Sequence, residues 1–381
     1  MAFNSRADIT KPQDIFSKVT AMLVVTSDQA SSRTAAQRNR DELESLCSTL
    51  GIRCAAWDYS NIRSFNSATY IGSGQVQRLA WIAQENQCNL VVFNNSISPR
   101  IQRNLEEILG IAVVDRQEII LQIFADRATT REARLQVELA QLQYSLPRLK
   151  RKWADLSQQR GGVKGAKGSG EKQLELDRRQ AQTRIVRLKR EIAEIGRSRD
   201  VQRRNRTSGK IANVAIVGYT NSGKSTLLNR ISDSNVLSQD MLFATLDPTT
   251  RRVRLPNGNF ALFTDTVGFV SDLPHELVEA FKSTLDEAVL ADVLLIVLDA
   301  SREDFIECWD TTREVLEQLD AFEKPRLVLL NKMDKVTEES LFAINTFSMS
   351  GEHCMKVSVT KDSSMEGVLN EIAGMLEELG L

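Results

Sequence analysis

The sequence predicts an α/β protein in three parts: an N-terminal α/β domain with a parallel sheet over residues 1–130, an antiparallel helical hairpin (coiled coil) over 131–207, and a second α/β domain with a mostly parallel sheet over 208–381. Three observations predict it. Short β-rich runs alternate with helix-like stretches in both outer parts, the pattern of strands joined by crossover helices. The middle part replaces strands with long apolar heptads, and residues 131–210 carry 22 Lys+Arg against 9 Asp+Glu. One glycine-rich stretch, GYTNSGKS (218–225), stands between a strand-like and a helix-like run.

In the first part the strand candidates are TAMLVVTSD (20–28), CAAWDYS (54–60), NLVVFNNS (89–96) and GIAVVD (110–115). Helix-like stretches RTAAQRNRDELESLCSTLG and SGQVQRLAWIAQENQ lie between them. YIGSGQ (70–75) reads as a turn, since a lone GSG is a weak phosphate signal.

In the second part apolar residues recur at Leu135, Leu139, Leu142, Leu146, Leu149, Trp153 and Leu156, then at Leu174, Ala181, Ile185, Leu188, Ile192 and Ile195. Each series draws one stripe along a helix. Two such helices with a short connection pair antiparallel. Pro147 removes a backbone donor inside the first and is expected to kink it. Residues 160–170 form the tip, and RSRDVQRRNRTSGK (197–210) reads as a basic linker. The tip GGVKGAKGSGEK is rich in glycine and lysine but has Glu171 where a phosphate loop needs lysine, and no strand precedes it.

In the third part the strand candidates are IANVAIVG, RRVRLP, FALFTDT, VLLIVLDA, RLVLLN and MKVSV, with PNGN (256–259) turning the second into the third as a hairpin. Gly218, Tyr219, Thr220, Asn221, Ser222, Gly223, Lys224, Ser225 and Thr226 match G-x-x-x-x-G-K-[ST] in the required strand-to-helix setting. Such a loop turns its N–H groups onto phosphate, and the helix N-terminus adds positive potential. Lys224 is expected on the β- and γ-phosphates and Ser225 on Mg²⁺.

Asn331, Lys332, Met333 and Asp334 follow the strand RLVLL, 107 residues beyond Lys224. A carboxylate there accepts the paired N–H donors of guanine, which adenine lacks. Asn331 is expected to brace the loop and Lys332 to lie along the base. Ser358, Val359 and Thr360 follow the last strand, where a backbone N–H meets guanine O6. Asp265, Thr266, Val267 and Gly268 end FALFT: Asp265 is expected to hold Mg²⁺ through water, and Gly268 N–H to sense the γ-phosphate. In MLFATLDPTTR (241–251) one threonine should join them, Thr245 by preference and Thr249 otherwise. These features make the third part a P-loop GTPase domain, with Lys224, Asn221, Thr245 and Gly268 as the catalytic set and Ser225, Thr245 and Asp265 as the Mg²⁺ set. Residue 269 is Phe, where related enzymes use glutamine to orient the attacking water. Slow intrinsic hydrolysis is therefore expected, unless a partner intervenes or the Asn221 amide oxygen holds a K⁺ against the phosphates.

The bulk composition narrows the class. Net charge is −1 and hydrophobic content 42% over 381 residues, so the basic character is confined to the middle segment. That asymmetry suggests a nucleic-acid or membrane contact there. Five cysteines without CxxC suggest a reduced, cytoplasmic protein. MAFNSRADITKPQD has no apolar core of a signal peptide, and no run approaches the ~18 apolar residues of a membrane span. Two histidines, His275 and His353, make a histidine metal cage or triad improbable. His275 reads as a surface residue. Nothing in the sequence demands an oligomer, so a monomer is expected.

With YIGSGQVQRLA, QRNLE (102–106), DRQEIILQIFADRATTREARLQVELAQLQY (115–144), the tip and following helix (161–179), GYTNSGKST, FATLDPTTR, DTVGFVSDLPHELVEAF and NKMD in order, the chain resembles the HflX family of translational GTPases. The resemblance implies GTP binding and hydrolysis, binding to the large ribosomal subunit and its rRNA, and splitting of stalled or idle 70S ribosomes, often under stress. It turns Lys164, Lys167, Arg178 and Arg179 into candidate rRNA contacts, and makes the ribosome the partner that stimulates turnover. The chain departs from the family pattern at Val359, where alanine is usual, and at Ser169, where the family tip has proline. The other functional reading is a GTP-switched module that binds the large subunit, in assembly or silencing, without splitting it.

Overall fold

A computed structural model describes residues 18–28, 33–62, 65–159, 167–207, 211–232, 242–243, 245–270, 282–361 and 365–381, with side chains described outside 149–174, 198–207, 282–284 and 339. The N-terminal stretch, Lys164, His275 and the side chains of Trp153, Leu156 and Leu174 lie outside that description. The chain divides into two compact units, residues 1–126 with 147–164, and residues 127–146 with 165–381.

The first unit is built on a four-stranded sheet of β1 (Thr20–Asp28), β2 (Arg53–Ile62), β3 (Leu90–Phe93) and β4 (Ala112–Asp115). The order is β2-β1-β3-β4 and every pairing is parallel. Helices α1 (Arg33–Thr49), α2 (Ser73–Glu85), α3 (Pro99–Leu109) and α4 (Arg116–Arg127) complete the alternation. Met22, Val24, Val91, Phe93 and Val113 share one sheet face with Val76, Leu79, Ile101 and Leu105, as a period-two strand over an amphipathic helix requires. Helix α3 was not anticipated, although its punctuation is in the sequence. Ser98 accepts from Ile101 N, Pro99 starts the helix, and Gly110 closes it at φ 70°.

Helices α5 (Arg131–Gln159) and α6 (Lys167–Thr207) are the two long helices of the middle segment. Leu135, Leu139 and Leu188 are buried together, with Leu142, Ile185, Ile192 and Ile195 against them. Arg184 forks onto Glu138 with both bonds at 2.7 Å, while Arg131 meets Glu191 at 4.0 Å. Partner numbers rise on one helix as they fall on the other, so the two run antiparallel, as the heptads predicted. Two expectations need correction. The basic run 197–207 is helix rather than linker: arginine is a good helix former, and no proline interrupts it. The expected tip is also shorter, because α6 already begins at Lys167. Helix α5 runs through Pro147 as one element, and the division between the two units falls at that residue.

The second unit carries a six-stranded sheet of β5 (Ala212–Val217), β6 (Thr249–Arg254), β7 (Phe260–Asp265), β8 (Val293–Asp299), β9 (Arg326–Asn331) and β10 (Cys354–Lys356), in the order β10-β9-β8-β5-β7-β6. Only β6 is antiparallel, paired with β7 through the Asn257-Gly258 turn that the sequence predicted. Its helices are α7 (Lys224–Ile231), α8 (Lys282–Leu290), α9 (Phe305–Gln318), α10 (Glu338–Ser348) and α11 (Met365–Glu378). Val214, Ile216, Leu295, Val297, Leu327 and Leu329 point to one face, under Leu227, Ile231, Val368 and Ile372. Their neighbours Ala215, Val217, Leu294, Ile296, Val328 and Leu330 point to the other, under Leu285, Phe305, Trp309 and Phe347. Burial on both faces is why these strands read as unbroken apolar runs. Among the described residues no helix is long and apolar enough to cross a membrane.

Candidate functional site: a phosphate loop and its base pocket

In open parallel sheets, ligands bind beyond the carboxyl ends of the strands. Here β5, β7 and β9 end at Val217, Asp265 and Asn331, and the phosphate loop, the Asp265–Gly268 motif and the Asn331–Asp334 motif lie at those ends. The loop after β5 depends on its glycines. Gly218 has φ 141°, and a Cβ there would run into the Val297 carbonyl. Gly223 has φ 101°, and its Cβ would strike the Asn331 side chain. Neither position admits another residue without moving backbone or site. Asn221 also takes a left-handed conformation, φ 59°, with its side chain exposed.

Lys224 opens α7 and is fully buried beneath the loop, where its Nζ donates to Gly218 O at 3.1 Å and Tyr219 O at 2.7 Å. Burial lowers its pKa to about 8, although the Asp265 carboxylate works the other way. Holding this ammonium charged in the fold costs about 3 kcal/mol, which polyphosphate would offset. Thr220 Oγ1 and Ser222 Oγ are buried without a hydrogen-bond partner among the described residues. Such atoms are rare in a folded chain and mark a place where a further polar group fits.

Ser225, Thr245 and Asp265 meet in a triangle. Ser225 Oγ donates to Asp265 Oδ2 at 2.6 Å, Thr245 Oγ1 donates to the same oxygen at 2.8 Å, and the two hydroxyls are 2.8 Å apart. Of the two threonines considered, the structure brings Thr245 here, while Thr249 is exposed at the start of β6. Burial raises the Asp265 pKa, with Lys224 and the two hydroxyls opposing it. Its second oxygen, Oδ1, is buried with no partner among the described residues. An all-oxygen set around one buried carboxylate, with an unpartnered oxygen, fits Mg²⁺.

Thr266 donates twice to Ile216 O, from N at 3.2 Å and from Oγ1 at 2.8 Å, which fixes the start of the next loop. Val267 is buried, and Gly268 passes so close that a Cβ would lie 2.8 Å from Lys224 Nζ and from Thr220. Phe269 exchanges backbone bonds with the loop, Phe269 N to Gly218 O at 3.0 Å and Thr220 N to Phe269 O at 2.7 Å. Its ring is buried in the core, so it presents nothing to a water near phosphate.

Asn331 ends β9, and its amide donates to Ser222 O at 2.8 Å while accepting from Val359 N at 3.1 Å. Lys332 takes φ 60° and reaches Asn221 O and Asp299 Oδ2, both at 2.8 Å. Met333 N donates to Val357 O at 3.2 Å, and Asp334 N donates to Ser358 Oγ at 3.1 Å. The phosphate loop, the NKMD turn and the Ser358-Val359-Thr360 segment are thus one hydrogen-bonded body. Sequence reasoning missed Lys361, whose ammonium meets the Asp334 carboxylate at 3.1 Å and, with Ser358, holds its pKa below the usual range. It also missed Arg302, which forks onto Asp304 and lies 5.3 Å over the Tyr219 ring. Neither belongs to a motif, so no local pattern announces them.

Of the candidate rRNA contacts, Arg178 and Arg179 are exposed on α6, Lys167 begins that helix, and Lys164 lies outside the described residues.

Comparisons with known proteins agree with this geometry. Residues 37–125 match the family described as GTP-binding GTPase N-terminal, 127–206 the GTP-binding GTPase Middle Region, and 213–332 the 50S ribosome-binding GTPase. The chain is 48% identical to the GTPase HflX of Treponema denticola, over 92% of this chain and 91% of that one. It is 41% identical to the GTPase HflX of Escherichia coli K12, over 78% and 70%. A crystal structure described as SsGBP and GDP complex superposes with a TM-score of 0.54 at 25% identity, covering 95% of this chain and 100% of that one. The chain binds and hydrolyses GTP, and belongs to the HflX family of GTPases.

Proposed function

We propose that this GTPase binds the large ribosomal subunit and separates stalled or idle 70S ribosomes. The observation that carries the proposal is the placement of the basic helix α6, with exposed Arg178 and Arg179, in the same compact unit as the nucleotide site. The relatives named GTPase HflX and the ribosome-binding description of residues 213–332 support it. Exposed arginines on a long helix suit a phosphate-rich surface, whose affinity comes from counterion release.

In the hydrolytic step, Lys224 and the amides of residues 219–225 are assigned to the β- and γ-phosphates. Asp334 and the Ser358-Val359-Thr360 segment are assigned to guanine, with Asn331 and Lys332 bracing the pocket. Ser225, Thr245 and Asp265 would hold Mg²⁺, which when bound neutralises charge on the phosphates. Gly268 N–H is assigned to the γ-phosphate. With Phe269 turned into the core, the chain has no glutamine there to orient water, so turnover depends on help. The Asn221 amide, exposed at the rim of the loop, is assigned to a K⁺ that supplies part of it. Turnover unchanged when Na⁺ replaces K⁺ would remove that assignment.

The test of the whole reading is sedimentation of 70S ribosomes with this protein and GTP, a non-hydrolysable analogue or GDP. The proposal expects 70S to fall to subunits and the protein to travel with the large one in the GTP-like state. Binding that leaves 70S intact would replace it with a GTP-switched binding module.

A further inference from the structure

Asp247 lies two residues beyond Thr245, in the segment between the phosphate loop and β6. Its carboxylate takes four hydrogen bonds from a distant part of the chain. Oδ2 accepts from Thr129 N at 3.2 Å, Thr129 Oγ1 at 2.5 Å and Thr130 N at 3.1 Å, and Oδ1 accepts from Thr130 Oγ1 at 2.5 Å. Thr130 is at the same time the cap of α5. Its Oγ1 accepts from Ala133 N at 3.1 Å, and its carbonyl accepts from Arg134 N at 3.1 Å. The carboxylate also sits just ahead of the positive end of α5, where a negative charge is favoured. Burial works against its charge, and the threonine hydrogen bonds outweigh burial, leaving Asp247 below the usual carboxylate range.

Between the two anchors lies one residue, Leu246, itself buried. Residues 245–247 therefore form a short tether. One end is fixed to the Ser225–Asp265 cluster by Thr245 Oγ1, the other to the root of the hairpin by Asp247. Three consecutive residues span about 7 Å at most, so neither end has slack to move alone.

We propose that Asp247 is a positioning residue that holds Thr245 on the nucleotide-binding cluster and links the state of that cluster to the first turn of hairpin helix α5. The proposal rests on the assignment of Thr245 to the nucleotide's Mg²⁺ and γ-phosphate. When Thr245 is pulled onto a GTP-bound cluster, the tether seats Asp247 on Thr129 and Thr130. When Thr245 is released, the four bonds loosen with it. Linkage makes the coupling reciprocal: whatever displaces the root of α5 changes the relative affinity for GTP and GDP by the same factor. A partner gripping the hairpin thus has a route to the nucleotide that needs no contact with it.

The experiment uses the full chain, with amide hydrogen exchange of residues 128–134 and steady-state hydrolysis as paired readouts. In the wild type, amides of this segment are expected to exchange at least about 10-fold more slowly with a GTP analogue than with GDP, a coupling in the ordinary range. Asp247→Ala is expected to abolish that difference, to lower kcat about 10-fold and to weaken binding of the GTP analogue relative to GDP by up to about 10-fold, while GDP affinity itself stays within about 2-fold. Asp247→Asn, which keeps an acceptor for both amides, is expected to recover most of kcat. Thr129→Val removes one hydroxyl donor at an exposed position and should shift the exchange difference partway. Identical exchange in the two nucleotide states of the wild type would overturn the proposal, and so would an Asp247→Ala chain that keeps the difference. Thr245→Val separates the two layers. If it hydrolyses GTP like the wild type, the underlying assignment of Thr245 fails; if it is impaired while Asp247→Ala is not, only the role of Asp247 fails.

Discussion

The side-chain amide of Asn331 donates to the carbonyl of Ser222 at 2.8 Å, joining the end of β9 to the phosphate loop across 109 residues of chain. Through its oxygen the same side chain holds Val359 N–H. One buried side chain therefore sets the spacing between the phosphate site and the base site. Asn331→Ala leaves a buried carbonyl and a buried N–H unpartnered, at about 1–3 kcal/mol each. The expected result is a loss of GDP affinity of about 10- to 100-fold, read by fluorescent-nucleotide titration. Wild-type affinity in the variant would show that the loop holds its shape without the brace.

Base choice should rest on Asp334. Asp334→Asn replaces an acceptor pair with one acceptor and one donor, which matches xanthine better than guanine. Preference is expected to move from GTP toward XTP by about 100-fold or more, the scale on which unpaired polar groups reject a ligand. Competition between the two nucleotides measures it, and an unaltered preference for GTP would move guanine recognition elsewhere. Lys361 already pairs with this carboxylate, so if it competes with the base, Lys361→Met with Asp334 intact should raise GTP affinity.

The pH dependence follows from Lys224. Its pKa is lowered to about 8 by burial, so the side chain is charged below that pH and progressively neutral above it. Only the charged form pairs with phosphate. GTP affinity should therefore be fullest below about pH 8 and decline as pH rises through it, with proton uptake on binding near the midpoint. Calorimetry in buffers of different ionisation enthalpy reads the uptake. The sign for the fold is the reverse: a lysine with a depressed folded pKa disfavours the folded state at low pH, and that penalty disappears as pH rises from about 8 toward the unfolded value. Lys224→Ala should abolish tight GTP binding at every pH.

Charge on α6 should govern ribosome affinity. Arg178 and Arg179 are exposed. Replacing both by Ala is expected to weaken binding and to reduce the slope of log K against log salt by about 2. Adding Lys164→Ala and Lys167→Ala should extend the effect. A slope that does not change would make the hairpin a spacer, with the contact made elsewhere.

Much of the nucleotide site was legible because its chemistry is local. Gly218 and Gly223 are spaced for a loop that turns back over Lys224, and Asn331 to Asp334 follow directly on an apolar strand. The heptads of α5 and α6 were legible for the same reason, since a stripe repeats within each helix. In the basic run 197–207 polarity suggests a linker, but the helix propensity of arginine prevails. The ends of helix α3 are marked in the sequence by Ser98, Pro99 and Gly110.

The class of fold, the phosphate loop, the base motif and the antiparallel pairing of the long helices can be read along the chain, because each is a pattern along one segment or a short series of neighbours. Only the packed fold brings Thr245 rather than Thr249 to Ser225 and Asp265, sets Lys361 against Asp334, and lets Asp247 hold Thr130 at the root of α5 from 117 residues away. These are meetings between side chains on separate elements. Their distances are fixed by how strands order and helices pack, and that information belongs to the whole fold rather than to any stretch of chain.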